Sequence, residues 1–164
     1  MSDRIGDRFQ EQTKYLRGEL SGGGLDWASK PETYKTYPDV PMISLDSPRT
    51  KGGTSLWRAL KERHSVRNFS PEPLSKLELS RLAWAAQGIS HENRGVAFRT
   101  APSAGGLYPI ETYLVVNRVE DIEPGVYHYA VAAHALEQLR TGDFSLQTAH
   151  AALDQRMAHE ANVV

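Results

Sequence analysis

Apolar positions along the chain follow helical spacing in some stretches and strand-like runs in others. Leu56, Trp57 and Leu60 recur at helical spacing behind Thr54 or Ser55, either of which can cap a first turn, so residues 54–63 predict a helix. Ser75-Lys76-Leu77-Glu78 is a stronger signal. It is a capping box, in which Ser and Glu reciprocally satisfy free N–H groups of a first turn. The helix it opens should run to Gln87, with Gly88 as its stop and Leu74, Leu77, Leu82, Trp84, Ala85 and Ala86 as apolar surface. Residues 90–101 read as loop, and the small residues at 101–106 exclude a stable helix. Residues 111–117 are rich in β-branched and aromatic side chains and predict a strand. A turn at 121–125 leads to a second strand at 126–129. Residues 135–140 fit a third short strand, although Ala135, Leu136 and Leu139 also fit a helical turn. Residues 145–159 read as one helix, with Asp143 as cap and Leu146, Ala149, Ala152, Leu153, Arg156 and Met157 along one side. Residues 161–164 begin a strand. The order of elements is that of an α+β fold.

The first fifty residues have a different texture. They hold three consecutive glycines at 22–24 and Pro31, Pro38, Pro41 and Pro48, together with Trp27, Tyr34, Tyr37, Met42, Ile43 and Leu45. A pure linker lacks such aromatics. We expect residues 1–50 to form an extended arm with little regular structure that packs on a body or a partner, with a partly disordered tail as the alternative for residues 1–20. Residues 51–164 then form the domain proper.

Composition narrows the function classes. With 164 residues, 40% hydrophobic and 24% charged, a packed core is within reach and the composition argues against wholesale disorder. Nineteen Lys and Arg against twenty Asp and Glu give a net charge of -1, which argues against nucleic-acid binding by bulk charge. The absence of cysteine excludes disulfides, cysteine zinc sites, iron–sulfur clusters and thiol nucleophiles. No apolar run approaches the ~20 residues of a membrane helix, and the charged first ten residues contain no signal-peptide core. A soluble, cytoplasmic protein with no membrane partner is the expectation.

Several chemistries lack their motif. Lys51-Gly52-Gly53-Thr54-Ser55 is not a P-loop, and no G-x-G-x-x-G is present. Ser103 in Ala101-Pro102-Ser103-Ala104-Gly105 lacks the glycine, the preceding strand and the following helix of a nucleophile elbow. The six histidines include no H-E-x-x-H pair, so no metal site is expected.

One segment stands out. Lys51, Arg58, Lys61, Arg63 and Arg67 face a single acid, Glu62, between residues 51 and 70. At its centre Arg63 and Arg67 lie four apart with a hydroxyl between them. Two guanidinium forks and a small donor suit a phosphate and an electron-rich ring. Cations near a helix C-terminus also meet its dipole favourably without any ligand, and spacing alone leaves both readings open.

Arg63-His64-Ser65-Val66-Arg67-Asn68-Phe69 resembles the R-x-S-x-R-x-F motif of the FMN-dependent nitroreductase superfamily. Further motifs, in order, resemble its branch of SagB/ThcOx-type dehydrogenases, which includes the azoline oxidases of azole-containing peptide biosynthesis. These are Gly24-Leu25-Asp26-Trp27, Tyr34-Lys35-Thr36-Tyr37-Pro38, Trp84-Ala85-Ala86-Gln87-Gly88, the run from Arg99 through Pro102-Ser103-Ala104-Gly105-Gly106-Leu107-Tyr108-Pro109, and Pro124-Gly125-Val126-Tyr127-His128-Tyr129.

The resemblance implies a nitroreductase-like FMN-binding fold and hydride transfer through flavin N5. It places Arg63 at the FMN phosphate, Ser65 near the ribityl chain and Arg67 beside the N1/O2 edge of the flavin, with His64 contributing by backbone or ring. It places Pro102, Ser103, Ala104 and Gly105 against the ring from the second subunit of a homodimer. Catalytic residues are not assigned, and Tyr108 is a weak candidate for the substrate side. The substrate would be a small molecule or a peptide. Members of the family continue beyond this pattern with a central helix, a further helix and a last strand. A fragment, or one half of a split protein completed by a second chain, is therefore expected, with residues 163–164 left as an unpaired edge. The alternative function is a non-catalytic dimerisation or partner-binding scaffold.

Overall fold

The computed structural model describes residues 4–19, 26–48 and 50–164; the glycine run at 22–24 lies outside them. The chain divides into two compact units, Met1–Pro31 and Glu32–Val164. The first holds helix α1, Ile5–Thr13, and a short 3-10 turn, Trp27–Ser29. A regular helix departs from the extended arm expected here. Arg8, Gln10, Glu11 and Gln12 are good helix formers, and the Thr13 hydroxyl closes the last turn by donating to the Phe9 carbonyl at 2.6 Å.

The second unit is built on an antiparallel sheet. Its strands are β1 (Met42–Ser44), β4 (Tyr113–Val116), β5 (Gly125–Ala130) and β6 (Ala135–Thr141), in spatial order β1-β6-β5-β4. β5 and β6 form a hairpin in which Tyr129 faces Leu136 and His128 faces Glu137. This settles residues 135–141 as strand. β1 pairs with β6 in register Ile43↔Leu136, so Met42–Ser44 supply an edge strand of the sheet. Residues 162–164 add to the other side. Val115 and Val164 exchange backbone N–H to O bonds of 2.8 and 3.0 Å, and Val163 bridges Val116. Residues 162–164 satisfy outer N–H and C=O groups of β4 on one side and have no strand on their other side among the described residues.

α2 (Leu56–Glu62) and α3 (Lys76–Gln87) have the predicted boundaries to within two residues. Both halves of the Ser75–Glu78 capping box form. The core face of α3 is Leu79, Ser80 and Ala83, not Leu82, Ala85 and Ala86, which are exposed. Leu79 and Ala83 join Leu45, Val116, Tyr127, Tyr129 and Leu136 in one buried cluster. Each large side chain fully buried there contributes on the order of 1.5–3 kcal/mol.

Two further elements differ from expectation. The loop read at 90–101 is a hairpin of β2 (Ile89–Asn93) and β3 (Val96–Arg99), turned by Arg94 and Gly95 at φ 50° and 78°. Two consecutive left-handed residues match the right-handed twist of a hairpin. The helix read at 145–159 is two, α4 (Ser145–Ala151) and α5 (Arg156–Glu160). Leu153 and Asp154, both at φ 58°, break it. The N-cap of α4 is Phe144, not the expected Asp143, which instead accepts a bond from the Ser145 N–H at 2.8 Å one residue earlier in the turn.

Residues 33–37 are held on the sheet by a polar cluster. His128 Nδ1 lies 2.6 Å from Glu137 Oε2, and its Nε2 lies 3.0 Å from Glu111 Oε2. The other oxygen of Glu137 accepts the Tyr37 N–H at 2.9 Å. The Tyr37 and Tyr113 hydroxyls are 2.8 Å apart, and Lys35 Nζ donates to Tyr113 at 2.7 Å. The ammonium bond from Lys35, then the bond with Tyr113, lower the Tyr37 phenol below its usual range.

Candidate functional site

The basic segment begins inside α2. Ser55 Oγ accepts the Arg58 N–H at 3.3 Å, and the helix closes where the Arg63 N–H meets the Ala59 carbonyl at 2.9 Å. Arg58 Nε pairs with Glu62 Oε1 at 2.9 Å, which occupies the one acid of the segment. Arg63 and Arg67 have no ion-pair partner among the described residues. His64 Nδ1 sits 2.9 Å from the Glu62 carbonyl oxygen, which fixes the ring against the end of the helix. Arg63, His64, Ser65 and Arg67 are all exposed. So are Leu56, Trp57, Leu60, Val66 and Phe69, with Trp57 at 80%. The stripe that predicts α2 thus stays exposed among the described residues. Beside it a cleft of about 420 Å³ is lined by Asn68, Phe69, Ser70, Pro71, Arg118, Arg156 and Glu160.

The second candidate group follows β3. Thr100 anchors its start: its N–H donates to the Gly88 carbonyl at 2.8 Å, and its hydroxyl donates to the Trp84 carbonyl at 3.0 Å. Pro102 is exposed and Ser103 half-buried; Ala104 and Gly105 belong to a 3-10 turn, Ala104–Gly106. Gly105 and Gly106 take φ of 66° and 65°, and a Cβ on Gly106 would meet nothing within 4 Å. The turn therefore presents bare backbone to open space. Tyr108 anchors its far end. It is buried, at φ 44°, with its N–H donating to Ser103 Oγ at 2.8 Å and its hydroxyl accepting the Arg99 N–H at 3.0 Å.

Arg99 is a member of this group that residue spacing did not single out. Its guanidinium lies 4.8 Å from the Tyr108 ring centre and 5.4 Å from that of Tyr34. Nη2 donates to the Thr33 carbonyl at 3.2 Å. The sequence signal was only an isolated arginine at the head of the Pro-Ser-Ala-Gly run. The partners of Arg99 become visible once residues 33–34 are placed.

The structure builds two groups and does not join them. Among the described residues no hydrogen bond, ion pair or ring contact links residues 63–67 to residues 102–105. The chemistry of each fits the cofactor named by the resemblance. Two unpaired guanidinium groups and a free hydroxyl suit a phosphate and an anionic ring edge. A glycine turn with space above it admits a flat ring.

Residues 60–164 match the profile of the Nitroreductase family. The Methanocaldococcus jannaschii protein MJ1384, assigned by name to the nitroreductases, is 35% identical over 77% of this chain and 57% of its own length. Trifolitoxin operon protein TfxC of Rhizobium leguminosarum bv. trifolii is 29% identical over 88% of this chain and 45% of its own. The chain thus spans about half the length of these curated relatives. A solved structure from Anabaena variabilis, described as a nitroreductase, superposes with a TM-score of 0.66 at 26% identity, over 97% of this chain and 30% of that one. A second, from Ralstonia eutropha, gives a TM-score of 0.55 at 35% identity over 65% of this chain and 47% of its own. The family match begins within α2 and takes in both candidate groups, and on that ground the chain belongs to the Nitroreductase family.

Proposed function

We propose that this chain carries the flavin-binding part of an FMN-dependent oxidoreductase of the SagB/ThcOx type. The observation that carries the reading is that Arg63, which caps α2, and Arg67, in the segment after it, have no ion-pair partner among the described residues and lie inside the region that matches the family. Arg63 would hold the phosphate, where a bidentate fork matches two oxygens. Ser65 would donate to the ribityl chain, and His64, pinned to the Glu62 carbonyl, would keep the loop on its course. Arg67 would set a fixed positive charge beside the ring edge on which negative charge collects. Residues 102–105 would meet the ring of the cofactor bound to a second copy of the chain. Bound FMN supplies hydride acceptance and donation, chemistry that no side chain of the site offers.

A peptide or a small peptide-derived substrate is the class we favour. Trifolitoxin-processing protein TfxB is 42% identical over 50 residues, 30% of this chain and 13% of its own length. The exposed Trp57, Leu60 and Phe69 beside the basic loop offer apolar contact of the kind such a substrate uses.

The reading is tested on the flavin potential. Arg67→Ala should lower the two-electron potential of bound FMN by roughly 30–60 mV, the equivalent of one charge-assisted hydrogen bond. A potential equal to that of the unmodified chain would remove Arg67 from the ring edge.

A further inference from the structure

We propose that Arg99 is a positioning residue of the flavin site, acting through Tyr108 on residues 102–105. The proposal rests on the reading of that segment as a flavin contact. Arg99 is 6% exposed, yet no carboxylate pairs with it among the described residues. Its Nη1 is buried without a hydrogen-bond partner. A buried, unpaired cation is costly and needs compensation close by. Here the compensation comes from two aromatic faces, Tyr34 and Tyr108, and from the Thr33 carbonyl.

The consequence falls on Tyr108. A left-handed backbone at φ 44° is unfavourable for a non-glycine residue and persists only where its surroundings enforce it. Arg99 enforces it twice, with the guanidinium over the ring and with its own N–H donating to the hydroxyl at 3.0 Å. Tyr108 passes the constraint to Ser103 through the 2.8 Å bond from its N–H. Thr100 is fixed to the end of α3 at the other end of the segment. Residues 102–105 are therefore a short span stretched between two anchored points. Arg99 also makes residues 33–34 part of the support, through the Thr33 carbonyl and the Tyr34 ring. The segment that precedes β1 thus helps set the shape of the turn that meets the ring.

The test compares FMN with riboflavin, which keeps the ring and lacks the phosphate. The purified chain, Arg99→Met and Arg99→Lys are titrated with each ligand and followed by visible absorbance. A residue that positions a ring contact affects both ligands alike. Arg99→Met should weaken both by about tenfold and change the shape of the bound visible band. Arg99→Lys keeps a cation over Tyr108 and should recover part of the loss. Arg63→Ala, aimed at the phosphate, should weaken FMN far more than riboflavin. Circular dichroism reports whether Arg99→Met folds. If it does not, Tyr34→Leu removes one half-buried face of the sandwich and should weaken both ligands by roughly threefold. Unchanged affinities and band shape in the folded variant overturn the role of Arg99. Failure of the unmodified chain to bind either ligand overturns the site itself, and this role with it.

Discussion

Tyr129 shows how burial acts on a single group. It sits in the middle of β5, fully buried, and desolvation pushes its phenol up to about 12. In the unfolded chain the same phenol ionises near 10. The unfolded state therefore releases its proton first as the pH rises. The contribution of Tyr129 to stability is complete below about pH 10 and is lost as the pH climbs toward 12. Urea denaturation at pH 8, 10 and 11 should show a falling midpoint, and Tyr129→Phe should flatten part of that fall. Gly88 carries a different lesson. The stop at the end of α3 was legible in the sequence, but its cause was not. Gly88 is extended at φ -65°, with no need of left-handed freedom. A Cβ there would lie 2.2 Å from Trp84 Cδ1, so the glycine serves close packing. Arg99 was illegible in the same way, because its value depends on Tyr34 and Thr33, which are remote in sequence.

At the scale of elements, local signals decided what could be read. The capping box of α3 and the aromatic, β-branched run of β4 carry their information in consecutive residues. The β2–β3 hairpin does not. Four of the five residues of β2 are exposed, so it shows no alternation of apolar and polar positions. Only Arg94-Gly95 marked the turn. The break between α4 and α5 has no proline or glycine to announce it. Leu153 is 86% exposed and left-handed, and so gains little from packing while bearing backbone strain. Leu153→Gly should therefore raise stability by a few tenths to about 1 kcal/mol. A continuous helix over 145–159 would give the opposite sign, a loss of about 1 kcal/mol. The urea midpoint of the variant separates the two.

On the scale of the whole molecule, the α+β class was readable because the strands and the two best helices each announced themselves. The partition of the chain was harder. The proline- and aromatic-rich stretch before residue 50 contains β1, whose place beside β6 is a long-range pairing that composition does not encode. The two candidate groups were legible as motifs, and the resemblance already assigned them to different subunits; the anchoring of residues 102–105 through Thr100 and Tyr108 was not legible. No helix among the described residues is long and apolar enough to cross a membrane. α2 is exposed, with its apolar stripe and the arginines that follow it, and the family match begins there. The central claim is that the first of these arginines, Arg63, holds the phosphate of FMN. Its most direct test is a titration of the purified chain with FMN, read by the flavin visible band and by fluorescence quenching, beside Arg63→Ala. The account predicts saturable binding at one FMN per chain, weakened more than about tenfold in the variant, as befits the loss of a bidentate charge-assisted contact. Absence of binding, or equal affinity in the two proteins, would contradict it.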